Sequence, residues 1–413
     1  MVKVIDKCRI CCSTNLEKVF SLKCQSLTGV FPDSETTEIT SGDVTLVKCN
    51  EKGGCGLVQL LESYDSNEMY GDSYGYRTGL NPSMESHIQG KISKIVDFCS
   101  LNDDDVVIDI GSNDATALHC YPKNVRRIGV DPTGEKFINF YRDGIELIAD
   151  FFSRDKLDHH SKGISAKVIT SFSMFYDLDN PIKFAEDVYE VLDNNGLWHL
   201  EQSYMPMMLK NNSYDTICHE HLEYYSLKSI KYIFDKVGFK IIDLEFNDIN
   251  GGSFALTVAK KSNYLYEETK RLINWLIKKE ELFSYNSVKT FKNFYVNVEK
   301  HKKIFRNLLL NLKDTKKKVI GYGASTKGNI ILQYCNINSN LVPYIAEVNR
   351  FKFNRYTPGS KIKIISEKKA RSLNPDYLLV LPWHFKSFIV QKERKYLNKN
   401  TKLIFPLPDI DIV

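Results

Sequence analysis

Short apolar runs alternate with amphipathic stretches along most of the chain, and the alternation predicts where its domains lie. Between residues 71 and 262 the apolar runs are short and rich in β-branched residues, as in buried strands. The strands predicted there are Val106–Ile110, Arg127–Val130, Lys167–Ser171, Gly196–Glu201 and Lys240–Phe246. The amphipathic helices predicted around them are Met84–Phe98, Pro181–Leu192 and Leu227–Val237. Alternating strands and helices are typical of a layered α/β domain.

A second, smaller α/β unit follows a helical spacer. In residues 263–315 apolar residues are interspersed with Lys and Glu. Residues 264–313 contain neither Gly nor Pro, and the two features together predict a long helical connector. In residues 316–413 the alternation returns. The strands predicted there are Val319–Gly323, Pro343–Glu347, Tyr377–Leu381 and Leu403–Phe405. The pattern therefore predicts two α/β domains joined by a helical connector.

Composition narrows the class of protein. Of 413 residues, 43% are hydrophobic and 26% are charged, as in globular proteins. The 56 basic and 51 acidic side chains leave an excess too small to indicate nucleic-acid binding. No apolar run approaches the roughly 18 residues of a membrane-spanning helix, and the polar N-terminus lacks the core of a signal peptide. We therefore expect a cytoplasmic monomer with no membrane or nucleic-acid partner.

The first 70 residues differ from the rest in their cysteines. They hold six of the ten, at Cys8, Cys11, Cys12, Cys24, Cys49 and Cys55. Cys8 and Cys11 form a CxxC knuckle, and Cys49 and Cys55 follow after 37 intervening residues. Four thiolates suit a closed, structural zinc site, although five residues separate the second pair where two are usual. Ordinary buried cysteines are the competing interpretation, and Cys12 and Cys24 are interpreted as bystanders.

A glycine turn after the first predicted strand of the larger α/β domain indicates a nucleoside. The strand ends in Asp109 and Gly111 and is predicted to open a helix, and the next strand ends in Asp131, twenty residues beyond Gly111. An acid at that position can hold both ribose hydroxyls. The turn has one Gly where the dinucleotide fingerprint needs three, which favours S-adenosylmethionine over NAD. The residues predicted to contact this methyl donor are Asp109, Gly111, Ser112, Asn113, Asp131, Pro132, Asp150, Phe151, Ser173 and Met174.

Residues 214–226 form the densest polar cluster, with Glu220 between His219 and His221. In an extended segment alternate residues face the same way, so the two histidines would point together and Glu220 opposite. A His suits general-base work near neutral pH. Metal binding and a solvated surface loop are the alternatives. The Gly- and Tyr-rich residues 69–79 would cover a pocket or form a plain linker.

The smaller domain carries a second polar turn. Residues 321–329 lie between a predicted strand and helix, where backbone amides and Lys327 could hold a diphosphate. The alternative is a turn kept only for folding. Residues 383–385, Trp-His-Phe, follow a strand and form either a pocket wall or a core aromatic pair.

The ordered motifs resemble the three-domain nucleotide-sugar C-methyltransferases that make branched deoxysugars. The motifs are CGLVQL (55–60), YGYRTG (74–79), DIGSND (109–114), GVDPT (129–133), MFYDL (174–178), HEH (219–221), GGS (251–253), GYGASTKGN (321–329), YTPG (356–359) and LPWHF (381–385). The resemblance runs from about Cys8 to Pro408. It implies an α/β protein with a zinc-binding module (1–70), a central class I methyltransferase Rossmann-like domain (71–262), a helical connector (263–315) and a smaller C-terminal Rossmann-like α/β domain (316–413) that helps to hold the nucleotide-sugar.

The resemblance also implies roles for single residues. It places the catalytic base on His221, a neighbouring acid on Glu220 and a tyrosine of the pocket cover on Tyr76, with His219 as a further catalytic candidate. The substrate-binding candidates are Tyr176, Tyr224, Ser325, Lys327, Asn329 and His384. The chain departs from the family pattern in three places: at Cys218 some members have Tyr, residues 174–178 lack a His that some members carry, and at Ala115 a Gly is usual.

The chemistry that follows needs a carbonyl, because a ring carbon becomes nucleophilic only beside one. The expected substrate is therefore a nucleotide-linked 4-keto-6-deoxy sugar, with C3 as the favoured position. His221 would remove the proton, Tyr76, a neighbouring tyrosine or protonated His219 would stabilise the oxyanion, and the carbon would take the methyl group. The alternatives are O- or N-methylation of a nucleotide-sugar, a zinc-ribbon RNA methyltransferase and a non-catalytic nucleotide-sugar binder.

Overall fold

The computed structural model of the chain describes residues 2–50, 52, 54–70, 75–285, 287–397 and 400–413. Gly53 of the second cysteine segment and residues 71–74 of the predicted pocket cover, with Tyr74 of the YGYRTG motif, lie outside the described residues. The described chain forms three main sheets, one for each of the three predicted parts, with helices packed around two of them. The α/β fold class with a small N-terminal module is confirmed.

The N-terminal module is an antiparallel sheet, and one of its strands comes from the central part of the chain. Its order is Glu223–Tyr224, Val58–Leu60, Ser41–Cys49 and Leu16–Ser26. A separate pair joins Lys3–Val4 to Glu62–Ser63. Only Leu222 separates Glu223–Tyr224 from the HEH triplet, so the module is hydrogen-bonded to that part of the central domain.

The central sheet has seven strands. Its order is Phe239–Asn247, Ser253–Lys260, Leu192–Ser203, Ala166–Phe172, Val106–Ile110, Arg126–Val130 and Glu146–Ile148. Ser253–Lys260 runs antiparallel to both neighbours, and the other adjacent pairs are parallel. The chain leaves Val106–Ile110 in one direction along the sheet and returns on its other side at Ala166–Phe172. Such a switch point opens a crevice at the carboxyl ends of the two strands, where ligands bind.

The C-terminal sheet repeats this arrangement on a smaller scale. Its order is Lys363–Ser366, Tyr344–Glu347, Val319–Tyr322, Tyr377–Val380, Lys402–Phe405 and Asp411–Ile412. The first five strands are parallel and the last is antiparallel. Its switch point lies between Val319–Tyr322 and Tyr377–Val380, so a second crevice is expected there.

Helices cover the two larger sheets and connect them. The α-helices are Ser66–Met69, Pro82–Phe98, Arg154–His160, Pro181–Val191, Met205–Lys210, Leu227–Val237, Lys270–Leu282, Val288–Asp314, Thr326–Tyr334, Glu367–Ser372 and Lys386–Leu397. The single-turn and short 3₁₀ segments are Thr78–Leu80, Leu118–Cys120, Gly134–Phe140, Phe175–Asp177, Tyr214–Thr216, Ile249–Gly251, Arg350–Lys352 and Trp383–Phe385. Leu227–Val237 was predicted to the residue because its ends are marked: Ser226 and Ser229 form a capping box, and Gly238 ends the helix at φ 108°.

The connector differs from the single long helix that the sequence predicted. It consists of Lys270–Leu282 and Val288–Asp314, and the second helix begins with Ser287 capping the amide of Thr290. This helix joins the parts of the protein, because its Phe294 ring lies 5.1 Å from the ring of Phe20 in the N-terminal module. One continuous apolar core includes residues of the module, the connector and the C-terminal sheet.

The glycine turn does not open an α-helix, contrary to the sequence prediction. Asn113 and Ala115 adopt left-handed backbone angles, with φ of 47° and 59°, and helical structure resumes only at Leu118–Cys120 as a 3₁₀ turn. A right-handed helix cannot pass through two such residues. The turn instead projects the side chains of Asn113 and Asp114 towards residues 75–79.

Candidate active site

The four predicted zinc ligands meet at one point. The sulfurs of Cys8, Cys11, Cys49 and Cys55 lie within 4.8 Å of one another, and three of the sulfur pairs are 3.4 to 3.5 Å apart. Four sulfurs about 2.3 Å from a zinc ion lie roughly 3.8 Å apart, so the arrangement fits tetrahedral zinc. Cys12 and Cys24 are exposed and lie outside the cluster. Four protein ligands leave no open coordination position, so such a site is structural.

A cavity of about 260 Å³ lies at the switch point of the central sheet. Of the predicted donor-binding residues, it is lined by Asp109, Gly111, Ser112, Asn113, Asp131, Pro132, Phe151, Ser173 and Met174. Gly111 has φ +77°, and a Cβ there would lie 3.0 Å from the Cγ of Met174. The close approach and the left-handed backbone explain why Gly is needed at this position.

Two buried acids, Asp109 and Asp131, line this cavity at the ends of adjacent strands. The Asp131 carboxylate accepts hydrogen bonds from the amides of Asn113 (2.8 Å) and Thr133 (2.6 Å), which hold it at the end of its strand. The Asp109 carboxylate accepts from the Thr170 hydroxyl at 2.6 Å. Burial raises the pKa of Asp109 to about 7, and the charge of Asp131 adds to the shift.

Asp150 was predicted to face the cavity, but the structure places it elsewhere. Its carboxylate pairs with Lys156 and accepts the amide of Phe151, and it is not among the lining residues. Phe151 and Phe152 form that wall instead.

The described part of the predicted pocket cover, residues 75–79, lies on the glycine turn. The carboxylate of Asp114 accepts from Arg77 Nε (2.9 Å) and from the amide of Gly79 (3.0 Å). The side chain of Asn113 accepts from the amide of Thr78 at 3.0 Å. These bonds place Tyr76 on the rim of the cavity, where 42% of its surface is exposed.

The HEH triplet is not extended, so its two histidines do not point together. His219 and Glu220 occupy a turn closed by the amide of His221, which donates to the carbonyl of Cys218 at 3.2 Å. Glu220 and His221 both line the cavity, whereas His219 faces the N-terminal module. There its ring meets the ring of Tyr64 edge-on at 4.5 Å and lies 3.4 Å from the carbonyl of Gly42. The expected pairing of the histidines was therefore wrong, because a turn replaces the strand.

His221 is held in one orientation. Its Nδ1 lies 2.7 Å from the carbonyl oxygen of Thr216, so Nδ1 carries the proton and donates it, and its ring packs on Tyr176 at 4.3 Å between centroids. Among the described residues, Nε2 has no hydrogen-bond partner. Burial and the nearby charge of Lys327 lower the pKa of His221 to about 3. The imidazole is therefore neutral, with the lone pair of Nε2 free to take a proton.

Two acids share the wall beside His221. Glu220 accepts from the hydroxyl of Thr28 at 2.9 Å, so a loop of the N-terminal module holds it. Asp177 lines the same cavity, and the pKa values of both carboxyls are raised by burial. Sequence analysis did not single out Asp177, although it lies within the quoted 174–178 motif.

A second cavity, of about 440 Å³, occupies the switch point of the C-terminal sheet. It contains three of the predicted substrate-binding residues, Ser325, Lys327 and His384. The two cavities share lining residues, namely Tyr76, Met84, Asn250, Thr326 and Lys327. A molecule bound in the second cavity can therefore reach the first, where His221 lies.

The other substrate candidates divide between the first cavity and the protein interior. Tyr176 lines the first cavity. Tyr224 lies in the sheet of the N-terminal module. The side-chain amide of Asn329 donates to the carbonyl of Thr28 at 2.8 Å. Neither residue lines either of the two cavities described here. Asn329 thus supports the loop that binds Glu220.

Among the charged residues of the second cavity that sequence analysis did not single out are Glu347 and Lys352. Glu347 ends the second strand of its sheet, as Asp131 does in the central sheet, and accepts from the amides of Ala324 (2.8 Å) and Asn349 (2.9 Å). The rule that selected Asp131 would have selected Glu347. The Lys352 ammonium donates to the carbonyl of Ala324 at 2.9 Å and lacks a comparable sequence signal.

Comparison with known proteins agrees with this three-part organisation. Family models match residues 8–70 as a zinc binding domain, 84–244 as a methyltransferase domain and 248–408 as a C-methyltransferase C-terminal domain. The three matches follow one another in order along residues 8–408, so the chain has the domains of a C-methyltransferase. C-methyltransferase NovU of Streptomyces niveus is 26% identical over 417 residues, covering 100% of this chain and 98% of NovU.

Two solved structures are similar to part of the chain. One is the complex of the Trm112 methyltransferase activator with a methyltransferase from Haloferax volcanii, with a TM-score of 0.36, 14% identity, and coverage of 44% of this chain and 94% of that chain. The other is the magnesium protoporphyrin IX methyltransferase of Synechocystis PCC 6803 with bound SAH, with a TM-score of 0.33, 11% identity, and coverage of 44% and 88%.

The protein is thus an S-adenosylmethionine-dependent C-methyltransferase with a zinc-binding module. In the part of the chain that the structure describes, no helix is long and apolar enough to span a membrane.

Proposed function

We propose that this C-methyltransferase acts on a nucleotide-linked 4-keto-6-deoxy sugar, with C3 as the carbon methylated and His221 as the base. The observation that carries the proposal is the position of His221: its Nδ1 binds the carbonyl of Thr216, and its ring lines the cavity that also holds the glycine turn. A base is needed in such a reaction only if the acceptor must first be deprotonated.

The central cavity is proposed to bind the methyl donor, which supplies an electrophilic methyl group. Asp131 would accept a hydrogen bond from a ribose hydroxyl through Oδ2, which the Asn113 amide engages once, whereas Oδ1 already accepts from the amide and the hydroxyl of Thr133. Gly111 would allow the backbone to approach the donor closely. Cys8, Cys11, Cys49 and Cys55 would hold the structural zinc ion.

The second cavity is proposed to bind the nucleotide-sugar. Lys327 lies within the first turn of Thr326–Tyr334, where its charge and the helix amides favour a diphosphate. Ser325 and His384 complete the wall, and Glu347, at the end of its strand, suits a ribose in the same way as Asp131. Because Lys327 lines both cavities, the sugar would extend towards His221.

The chain's own residues would then move one proton and stabilise one charge. His221 Nε2 would take the proton from the carbon beside the carbonyl, giving an enediolate. Tyr76 and Lys327, which line both cavities, would face the developing oxyanion. Glu220 would orient the sugar. The carbanion would then attack the methyl group in line, the bond between that methyl group and the donor sulfur would break, and S-adenosylhomocysteine would leave. Enclosure between two domains would exclude water from both reactants.

Solvent exchange tests the reaction type. The protein is incubated in D₂O with dTDP-, GDP- and CDP-linked 4-keto sugars, and the products are analysed by mass spectrometry. Deuterium should appear beside the carbonyl, and with donor present one methyl group should appear at the same carbon. If an oxygen or nitrogen is methylated and no deuterium enters at carbon, the proposal of C-methylation is wrong and the reaction is O- or N-methylation. Cytoplasmic location, the monomeric state and the absence of a nucleic-acid partner stay predictions.

A further inference from the structure

One buried ion pair connects the zinc knuckle to the catalytic loop. Arg9, between the ligands Cys8 and Cys11, has its Nε 3.7 Å from an oxygen of Glu223, and the two side chains are 3% and 0% exposed. The rest of the guanidinium donates to the carbonyl of Leu60 (2.6 Å) and to the hydroxyl of Ser63 (2.7 Å). Arg9 is thus fixed by the module and faces a residue two positions after His221.

The chain around Glu223 is held from two sides. The amide of Leu60 donates to the carbonyl of Leu222, and the amide of Leu222 donates to the carbonyl of Tyr176, both at 2.8 Å. Leu222 therefore bridges the module and the central domain, directly beside His221. Any movement of the Glu223–Tyr224 strand is transmitted to the imidazole through a single residue.

A strand of two residues has few backbone hydrogen bonds with which to define its register. Glu223 pairs with Gln59 and Tyr224 with Val58, and a slip by one position would reverse the faces of both and move the chain by about 3.3 Å. Misplacing a catalytic group by about 1 Å can cost roughly 100-fold in rate. A buried ion pair contributes little net stability, but its attested use is to select one register.

We propose that Arg9 and Glu223 are positioning residues that fix the register of the Glu223–Tyr224 strand and, through it, the position of His221. The zinc knuckle then has a second role beyond folding: it presents Arg9 to the catalytic loop. This inference rests on the proposed function of His221 as the base. Its test therefore includes a readout that does not depend on turnover.

The test compares Glu223→Gln, which removes the carboxyl group and keeps the shape of the side chain, with Glu146→Gln. Glu146 also pairs with an arginine, since Arg126 Nε lies 2.7 Å from its carboxylate, and it lines neither active-site cavity. The tautomer of His221 is read at neutral pH by ¹⁵N NMR of histidine-labelled protein, and its signal is identified by its loss in His221→Asn. Zinc content, donor affinity and the rate of deuterium exchange are measured on the same samples.

Wild type and Glu146→Gln should show the Nδ1–H tautomer. Glu223→Gln should show a mixture of the two tautomers and about a 100-fold lower maximal exchange rate, with one zinc per chain and an unchanged KM. Arg9→Lys, which keeps the charge and loses the fork, should change in the same direction and serves if Glu223→Gln does not fold. In the Arg9→Lys, Glu223→Gln double variant the losses should not add, because both act through one contact.

The proposal is overturned if Glu223→Gln keeps the Nδ1–H tautomer and the wild-type exchange rate. Loss of zinc in Glu223→Gln would also overturn it, because the effect would then lie in the metal site. Failure of the proposed function has a different signature: His221→Asn would exchange deuterium at the wild-type rate, whatever the tautomer in the Glu223 variant.

Discussion

Replacing His221 by Asn is the most direct test of the site. The Asn side chain can still donate a hydrogen bond to the Thr216 carbonyl, which His221 Nδ1 contacts at 2.7 Å, so the loop should keep its shape. It offers no base at the position of Nε2. General-base catalysis contributes roughly 10²- to 10⁴-fold, which corresponds to about 3 to 5.5 kcal/mol of activation free energy. Carbon–hydrogen exchange should slow by that factor.

The neighbouring histidine supplies the matched control. His219→Asn removes an imidazole from the same turn, but that ring packs on Tyr64 and does not line the cavity. Exchange by the His219 variant should stay near the wild-type rate, and donor affinity measured by calorimetry should be unchanged in both variants. If His219→Asn stops exchange and His221→Asn does not, the base has been assigned to the wrong histidine. If neither variant changes it, Tyr76 and Tyr176 are the next residues to replace.

The pH profile of exchange checks the same assignment independently. A base is lost when it is protonated, so a pKa lowered to about 3 moves the acid limb of kcat/KM well below the ordinary histidine value of about 6.5. In the complex, the substrate diphosphate would offset the charge of Lys327. The acid limb of kcat should therefore lie at higher pH than that of kcat/KM. An acid limb of kcat/KM at pH 6.5 that persists in the His219 variant would refute this account of His221.

Three further predictions follow from the structure. Metal analysis should find about one zinc per chain, and Cys55→Ser should lower zinc content and soluble yield more than turnover per folded molecule; full zinc in that variant would exclude the site. Asp131→Ala should weaken donor binding at least about tenfold by calorimetry, since it removes a charged hydrogen bond worth roughly 1.5–3 kcal/mol. The protein should become less stable to heat as the pH falls. Burial lowers the pKa of His199 and His219 to about 4, so between pH 6.5 and pH 4 these histidines are protonated in the unfolded state but not in the folded state. Each histidine should therefore lower the free energy of unfolding by about 2 kcal/mol between pH 7 and pH 5. A flat melting temperature over that range would contradict the last prediction.

Local sequence patterns predicted the elements whose cause is local. Val106–Ile110 and Leu227–Val237 have the predicted bounds, because a β-branched run and a capped amphipathic helix are defined by their own residues. Ser253–Lys260, whose residues are all buried, was not predicted. The end of one connector helix at Leu282 and the start of the next at Val288 were missed as well, because no Gly or Pro marks them.

The sequence by itself determined which chemistry is present: four cysteines suited to zinc, a glycine turn followed by a strand ending in Asp131, and an HEH triplet. Only the tertiary structure decided which of these side chains meet. His219 turns away because Gly42 and Tyr64 surround it, and Glu220 turns inwards because Thr28 binds it. These partners lie more than 150 residues away along the chain. The direction of a side chain in a non-repeating turn depends on such distant contacts. The hydrophobic periodicity of the sequence predicts only which face of a helix or strand is buried.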